Sequence, residues 1–507
     1  MPSFVTIPKG LKEVLITRLD FRGGLNNGIV DEFIAPNELS LVENYIPDIE
    51  NAGAIIKREG ITRASSVQTE AVTSVFQGKN ADYFSTTTTL RNFAGTALAS
   101  GLTAATTPDW ETFVDNDIYV DGINAPQTST NGTTFANLGG TPPTFKYMRF
   151  HNHFLFGAGH SLGVLRWADL GTAATWTAAN ALNITNDAND DITGLARYAG
   201  RLIVFCAKSF HHVHGEVGVP DMTITYSNYR IGSTSHRAII STPFALFWWT
   251  RGGIAMSRDG VEVIFPSVKA YNLGDHTLRV DRLAGTYAGL NKNQYGDIHG
   301  AWNEKMKRVE FYVFSGASQT TPNIRIDYYY EEDSFWIQNG IAAQMGASGR
   351  AVASGDPRVY VGSAGPTNSY LYYQNPDVAT DDGVAIPTLV EMRRESSEYG
   401  PVALKYCKQW ALFTVLAANA TFQMGIYVND AGSPNVSRSI SIAPVLTGFV
   451  LDTSLLDTGV LGAGTVANTK TEGIGRRFYK MKTRLSESNA VRVRIRGIVY
   501  KGHLVAA

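Results

Sequence analysis

Short apolar runs closed by turn residues dominate this chain. Arg201–Ala207, Pro243–Thr250, Arg308–Phe314, Asn323–Tyr330, Arg358–Val361 and Ser369–Tyr373 are rich in β-branched and aromatic residues and end at Gly, Asn, Asp or Ser, which predicts strands. Long stretches of helical periodicity are missing. The one helix pattern is Pro36–Asn44, where Pro36 sits at a first-turn position and Leu39 and Val42 share a face.

The strand-rich segments recur. Clusters lie around Val75–Phe93, Phe145–Leu165, Leu195–Val213, Phe244–Ile264, Gly296–Trp336 and Val352–Tyr373. Their centres are roughly 45 to 65 residues apart, near the ~40 to 50 residues of a four-stranded propeller blade. The pattern predicts an all-β chain with a β-propeller of five to seven blades, about six. A pair of β-sandwiches, whose strands also recur at short intervals, is the competing architecture. Asp377–Gly383 is polar and turn-rich and reads as a linker. The expected division is an N-terminal arm over 1–65, the propeller over 66–380 and a C-terminal β-sandwich-like domain over 381–507.

Composition supports this picture. Charged residues make up 18% of the 507, below the ~25% of ordinary soluble proteins, and glycine is abundant at 49, which fits a turn-rich β protein rather than charged helices or disorder. The formal net charge of −1 leaves no global field to hold nucleic acid or an anionic membrane. That near-balance hides two opposite parts, because residues 391–507 carry +7 and residues 1–390 carry −8. The two cysteines, Cys206 and Cys407, each sit in a strand-like run and read as buried thiols, which fits folding in a reducing cytoplasm. No apolar run approaches the ~18 residues of a membrane span, and the N-terminus reads as having no export signal.

Residues 19–63 hold, in order, Phe21-Arg22-Gly23-Gly24-Leu25-Asn26, a Pro-initiated segment ending at Asn44, and a turn from Gly53 to Lys57-Arg58-Glu59-Gly60. This set resembles the N-terminal segment of the β-propeller tail hub or nozzle (tail tubular) proteins of short-tailed, podovirus-like bacteriophages. Tyr119–Asn124, Leu165–Gly171 with Trp176, Asp191–Leu195 and Gly252–Gly260 are similar to later pieces of that family, whereas 385–507 carry no motif of it. The resemblance implies a structural virion protein, with no catalytic role and no cofactor. It would form a homo-oligomeric ring, commonly a hexamer, that extends the DNA-ejection channel below the connector. Connector and adaptor proteins, tail fibres or spikes, and double-stranded DNA in transit without sequence-specific binding are the implied partners. The implied location is the virion tail, after synthesis in the bacterial host cytoplasm. The N-terminal segment, with Gly23, Gly24, Asn44, Gly53, Arg58 and Gly60 at its turns, would close the propeller or dock it to neighbouring subunits. Independently of any family, Gly23 and Gly24 suit a tight bend, and Gly53 and Gly60 bracket a hairpin expected to expose Lys57 and Arg58.

Candidate chemistry is sparse. His151 with His153 and His212 with His214 are two apart, the spacing that puts strand residues on one face, but neither pair has a third metal ligand nearby in sequence. The acidic doublets Asp190-Asp191, Glu331-Glu332-Asp333 and Asp381-Asp382 alternate faces on a strand and so do not make the facing carboxylate pair of a glycosidase. Ser257-Arg258-Asp259-Gly260 approaches a sialidase hairpin but lacks its Trp. Phosphate-loop, zinc-protease and hydrolase-elbow motifs are absent. No catalytic, cofactor-binding or metal residue is assigned. Trp248-Trp249 on a strand would split, one toward a core and one toward a neighbouring layer. A propeller that binds or cleaves carbohydrate in receptor recognition is the alternative function.

The last feature is a basic alternation. Lys480, Lys482 and Arg484, then Arg492, Arg494 and Arg496, occupy every second position and predict a hairpin over Ser486–Ala490 with six cations on one face. Like charges across a strand pair are unfavourable, so either solvent covers this face or an acidic surface docks on it. Under the docking reading, reversing the charge of Arg492, Arg494 and Arg496 would disrupt assembly and leave the fold intact.

Overall fold

The computed structural model describes residues 13–506 apart from 31–32, 106, 217, 220, 228, 274–275, 342, 366–367, 395–403, 417, 430, 444, 448–463 and 467. It is an all-β propeller joined to a C-terminal β-sandwich-like domain, as expected. Six blades are antiparallel meanders of consecutive strands, beginning at Val72, Asp109, Tyr147, Ile192, Ile239 and His299. A seventh sheet, Ala343–Arg350, Pro357–Ser363 and Leu371–Asn375, takes its outer strand, Gly60–Arg63, from the N-terminal arm. This strand closes the ring by an intrachain clasp. The first strands of successive blades pack side by side round the axis. The gap between the first two blades is bridged by Trp110, whose indole donates to Ser74 Oγ at 2.7 Å and stacks on Phe76. The sequence clusters passed over the blade at Asp109–Asn137, whose strands are short and carry Thr, Asn, Gln and Asp between few apolar residues.

Individual strand expectations hold closely. Arg201–Cys206, Leu246–Thr250, Arg308–Val313, Ile324–Tyr329, Pro357–Ser363 and Leu371–Asn375 are all strands. Trp248 and Trp249 are both buried, Trp248 among Phe205, Phe210 and Leu246 between two blades, Trp249 in the large core shared with the C-terminal domain. Cys206 and Cys407 are free and buried, and burial pushes both thiols up to about 12.

The helix expected at Pro36–Asn44 is a strand, Glu38–Glu43, lying between Gly24–Leu25 and Thr388–Met392. Pairing on both sides satisfies more backbone groups than one isolated helical turn could, so tertiary context overrides the local pattern. The same strand extends a blade into the C-terminal domain. One sheet runs from His299–Asn303 through the blade to Gly24–Leu25 and Glu38–Glu43. It continues through Thr388–Met392, Met481–Glu487 and Ala420–Val428 to Val436–Ile442. The second sheet of the sandwich holds Leu404–Leu416, Asn468–Phe478 and Val493–Ala506, and it recruits Glu13–Arg18, Tyr45–Pro47 and Ile55–Lys57 from the arm. The arm therefore belongs to both bodies.

Candidate functional site

Three charged places stand out: the joint made by the arm, the C-terminal cations and a cavity on the propeller axis. At the joint, Gly24 has φ +65 and packs on Phe335, and an added Cβ would press on the Phe335 carbonyl. Gly23 turns against Asn37, and Gly53, φ +88, turns the hairpin Tyr45–Pro47 to Ile55–Lys57. Asn44 has φ +60, and its side-chain carbonyl accepts from Arg58 Nε at 2.9 Å and from the Asn339 amide at 2.8 Å. Its amide donates to the Pro387 carbonyl at 2.7 Å. These motif residues tie blade, arm and C-terminal domain together.

Lys57 and Arg58, expected to be exposed, are buried, because the hairpin is wedged between the two bodies. Lys57 pairs with Glu487 at 3.0 Å and donates to the Asn489 carbonyl at 2.5 Å, and burial lowers its ammonium pKa. Arg58 makes a fork–fork pair with Asp381 at 2.9 and 2.5 Å, so the expected linker is anchored at Asp381. Beside it, Glu59 is gripped by Arg308 and Arg325. Arg308 also reaches Glu310 at 2.8 Å and Tyr329 Oη at 2.8 Å, and Arg325 holds Asp327 at 2.6 and 2.8 Å. Gln374 of the closing blade donates to Glu310 at 2.7 Å. Burial works to raise the Glu59 carboxyl, but the two guanidiniums outweigh it and hold it well below the usual carboxylate range. The same burial raises Asp327.

The C-terminal cations do not form a hairpin. Lys482 and Arg484 lie on Met481–Glu487, paired with Thr388–Met392 and Ala420–Val428, while Arg494 and Arg496 lie on Val493–Ala506 in the opposite sheet. The chain crosses between the sandwich layers at the segment expected to be a turn, since each strand finds longer partners elsewhere. The alternation itself is real, with Met481, Thr483 and Leu485 buried and Lys482 and Arg484 facing outward. Acidic groups of the same chain meet these cations. Glu391 takes Lys482 at 2.7 Å and Arg484 at 2.6 Å; Arg494 pairs with Asp48 and Glu50; Arg496 donates to Asn51 at 3.1 Å. Lys480 sits at the bend before Met481, and Arg492 lines a groove with Pro47, Asp48 and Glu50.

The histidine pairs fare differently: His151 and His153 do not share a strand face, whereas His212 and His214 lie on one strand with their rings 6.2 Å apart. His151 ends a strand while His153, φ +67, lies in the hairpin turn, and His212 is buried against the Gly260 carbonyl while His214 is exposed. Among the described residues no three His, Cys, Asp or Glu come together as metal ligands. Asp259 caps its own turn through the Val261 and Glu262 amides.

Sequence reasoning missed the axial cavity, about 310 Å³, walled by the first strands of the blades. Asp109 binds Arg149 at 2.8 Å and His236 Nε2 at 3.0 Å, and accepts from the Met148 amide at 2.9 Å. The Leu195 amide donates to His236 Nδ1 at 3.2 Å, and His236 Nε2 lies 3.0 Å from Asp109 and 2.9 Å from the Arg149 guanidinium. Burial works to raise the Asp109 carboxyl, yet Arg149 and His236 prevail and hold it well below the usual range. Arg237, also in the wall, donates to the Asp297 carbonyl, and burial lowers its pKa to about 10. His299 stacks on Tyr312 at 4.8 Å, is buried, and its pKa is pushed well down by burial and by the Arg237 charge. These residues lie on five different blades or their connections, so no local spacing could reveal them.

No family model matches the chain, and no curated protein matches it. Solved structures similar to it include BamB from Moraxella catarrhalis, 10% identical, covering 66% of this chain and 100% of that one, with a TM-score of 0.34. The Pan2 WD40 domain of Neurospora crassa is 6% identical over 63% of this chain and 96% of its own, with a TM-score of 0.39. YCF48 from Cyanidioschyzon merolae is 12% identical over 63% and 99%, with a TM-score of 0.36. These likenesses assign no activity to the chain.

Proposed function

We propose that this chain is a structural subunit of a virion tail, a hub or nozzle that assembles as a ring, extends the DNA-ejection channel below the connector and anchors fibres or spikes. The observation that supports this reading is the arm. The residues that carry the resemblance to tail hub proteins, Gly24, Asn44, Arg58 and Gly60, are the ones that lock propeller and C-terminal domain into one piece. A subunit that transmits force between neighbours gains from such a joint. The axial cavity has room for a small molecule and none for a duplex, so in this reading DNA passes between subunits, not through a propeller. Head-to-tail contacts of one subunit on the next would close the ring. Cleavage of carbohydrate is less well supported, because among the described residues Asp109 is the one carboxylate lining the axial wall and its two oxygens are held by Arg149 and His236.

Negative-stain imaging of the purified full chain, alone and mixed with connector or adaptor subunits, tests the reading. Rings with a central opening between subunits are expected. A chain that remains monomeric in both preparations overturns it.

A further inference from the structure

Of the buried cations named at the joint, Lys57 alone carries an amine; Arg58, Arg308 and Arg325 are guanidiniums, which stay charged. The side chains of Lys57 and Glu487 are both 0% exposed, and burial favours the neutral, nucleophilic amine against the pull of Glu487. Glu487 Oε2 touches two side-chain nitrogens, Lys57 Nζ at 3.2 Å and Asn489 Nδ2 at 2.8 Å. The Asn489 main-chain amide donates to the same oxygen at 2.7 Å, and the Thr388 hydroxyl donates to Oε1 at 2.8 Å, so the carboxylate is fixed between the two side chains. Thr421 sets the orientation of the Asn489 amide. Oδ1 accepts from the Thr421 amide at 3.1 Å, and Nδ2 donates to the Thr421 carbonyl at 3.1 Å. A donor on the amide oxygen polarises the carbonyl carbon and stabilises negative charge that develops there. Lys57 Nζ already reaches this residue, since it donates to the Asn489 main-chain carbonyl at 2.5 Å. An amine, a carboxylate and a polarised amide are thus gathered from positions as far as 432 residues apart. An ion pair needs only the first two.

We propose that Lys57 and Asn489 join in an intramolecular amide cross-link, with Glu487 as the acid–base group, and that this bond fastens the arm to the C-terminal domain. Moving one proton from Nζ to Glu487 gives a neutral amine beside a neutral acid. The Nζ lone pair attacks Asn489 Cγ, and the π electrons of the carbonyl move to Oδ1, where the Thr421 amide holds the charge. Glu487 gives its proton to Nδ2, Oδ1 returns its electron pair, the Cγ–Nδ2 bond breaks and ammonia leaves. Nζ passes its one surplus proton to the Glu487 carboxylate, and from there it goes to the departing ammonia. One lysine ammonium and one asparagine amide enter; one secondary amide and one ammonium ion result, and the step needs no other reactant. Ser488 and Ala490, on either side of Asn489, are exposed, which gives ammonia a short way out. The cross-link does not depend on ring assembly, and it stands or falls apart from the tail reading.

Intact-mass spectrometry of the purified full chain, fresh and after prolonged incubation, tests it, with peptide mapping of the same samples. The expected mass falls short of the sequence by one ammonia, and one branched peptide is expected to carry both Lys57 and Asn489. Lys57→Arg keeps a cation beside Glu487 and removes the nucleophile, so its mass should equal that of its own sequence. Cyclisation of Asn489 onto its own main chain also releases ammonia, so a deficit that persists in Lys57→Arg, or that maps to a linear peptide, overturns the cross-link. The full sequence mass in fresh and incubated chain overturns it as well. Glu487→Gln cannot carry the proton and should slow the loss of ammonia by about a hundredfold or more. An unchanged rate in that variant overturns the acid–base assignment. The peptide map of the unaltered chain decides the cross-link itself even where a variant fails to fold.

Discussion

The joint and the C-terminal cations are made of the same residue types and reach opposite ends of the energy scale. Arg308, Arg325 and Glu59 have no exposed side chain to speak of and share one hydrogen-bonded network with Glu310, Asp327, Tyr329 and Gln374. Arg484 keeps 41% of its side chain exposed and pairs with a single carboxylate. A buried ion pair adds little net stability over an apolar replacement of the whole network, but removing one partner strands a charge in low dielectric. An exposed pair loses little when broken, because water takes over. The comparison teaches that a charge pattern in the sequence reveals where cations alternate, and that burial decides what each one is worth.

The comparison can be broken in graded steps. Arg308→Met leaves Glu59, Glu310 and Asp327 to share the single guanidinium of Arg325 and should cost about 3–5 kcal/mol in denaturant unfolding. A loss below about 1 kcal/mol would put the network in the class of surface pairs. Gly60→Ala presses a Cβ onto the Thr380 backbone where the clasp strand meets Asp381, and about 1–3 kcal/mol should be lost. Acid should act next. His236 and His299 are neutral in the folded chain because burial depresses both, while the unfolded chain takes up their protons near pH 6.5. The folded state thus binds fewer protons below that pH, so stability is full above about 6.5 and falls beneath it by up to about 1.4 kcal/mol per pH unit for each imidazole. The carboxylates Glu59 and Asp109 are depressed instead, and their contribution is lost only below about pH 4. A flat midpoint between pH 7 and 5 would show that the imidazoles are not buried neutral. Arg494→Glu sets a carboxylate beside Asp48 and Glu50 and should cost about 1 kcal/mol, so the triple reversal at Arg492, Arg494 and Arg496 would not leave the fold untouched. Arg496→Ala, which gives up one bond to Asn51, should stay within about 0.5 kcal/mol.

Much of the propeller was legible because blade strands pair locally, and a run such as Arg308–Val313 meets its partners within a few dozen residues. The arm was not, since Glu38–Glu43 pairs with Thr388–Met392 and Gly60–Arg63 with Leu371–Asn375, partners more than 300 residues away. A local period cannot register such pairing, which is why a strand read as a helix. Arg58 looked exposed for the same reason: Lys-Arg in a turn is solvated unless a distant acid such as Asp381 covers it. Gly24, Gly53 and Asn44 were legible as turns, because positive φ restricts residue choice at the position itself. The axial residues carried no signal, as Asp109, Arg149, His236 and His299 meet only when the ring closes.

The central claim is that the arm makes propeller and C-terminal domain one cooperative block. Scanning calorimetry of the full chain tests it most directly, by comparing calorimetric with van't Hoff enthalpy. One transition with the two enthalpies equal is predicted, and the predicted effect of Arg308→Met is to split or broaden it. Two separate transitions in the unaltered chain, one for each body, would contradict the account.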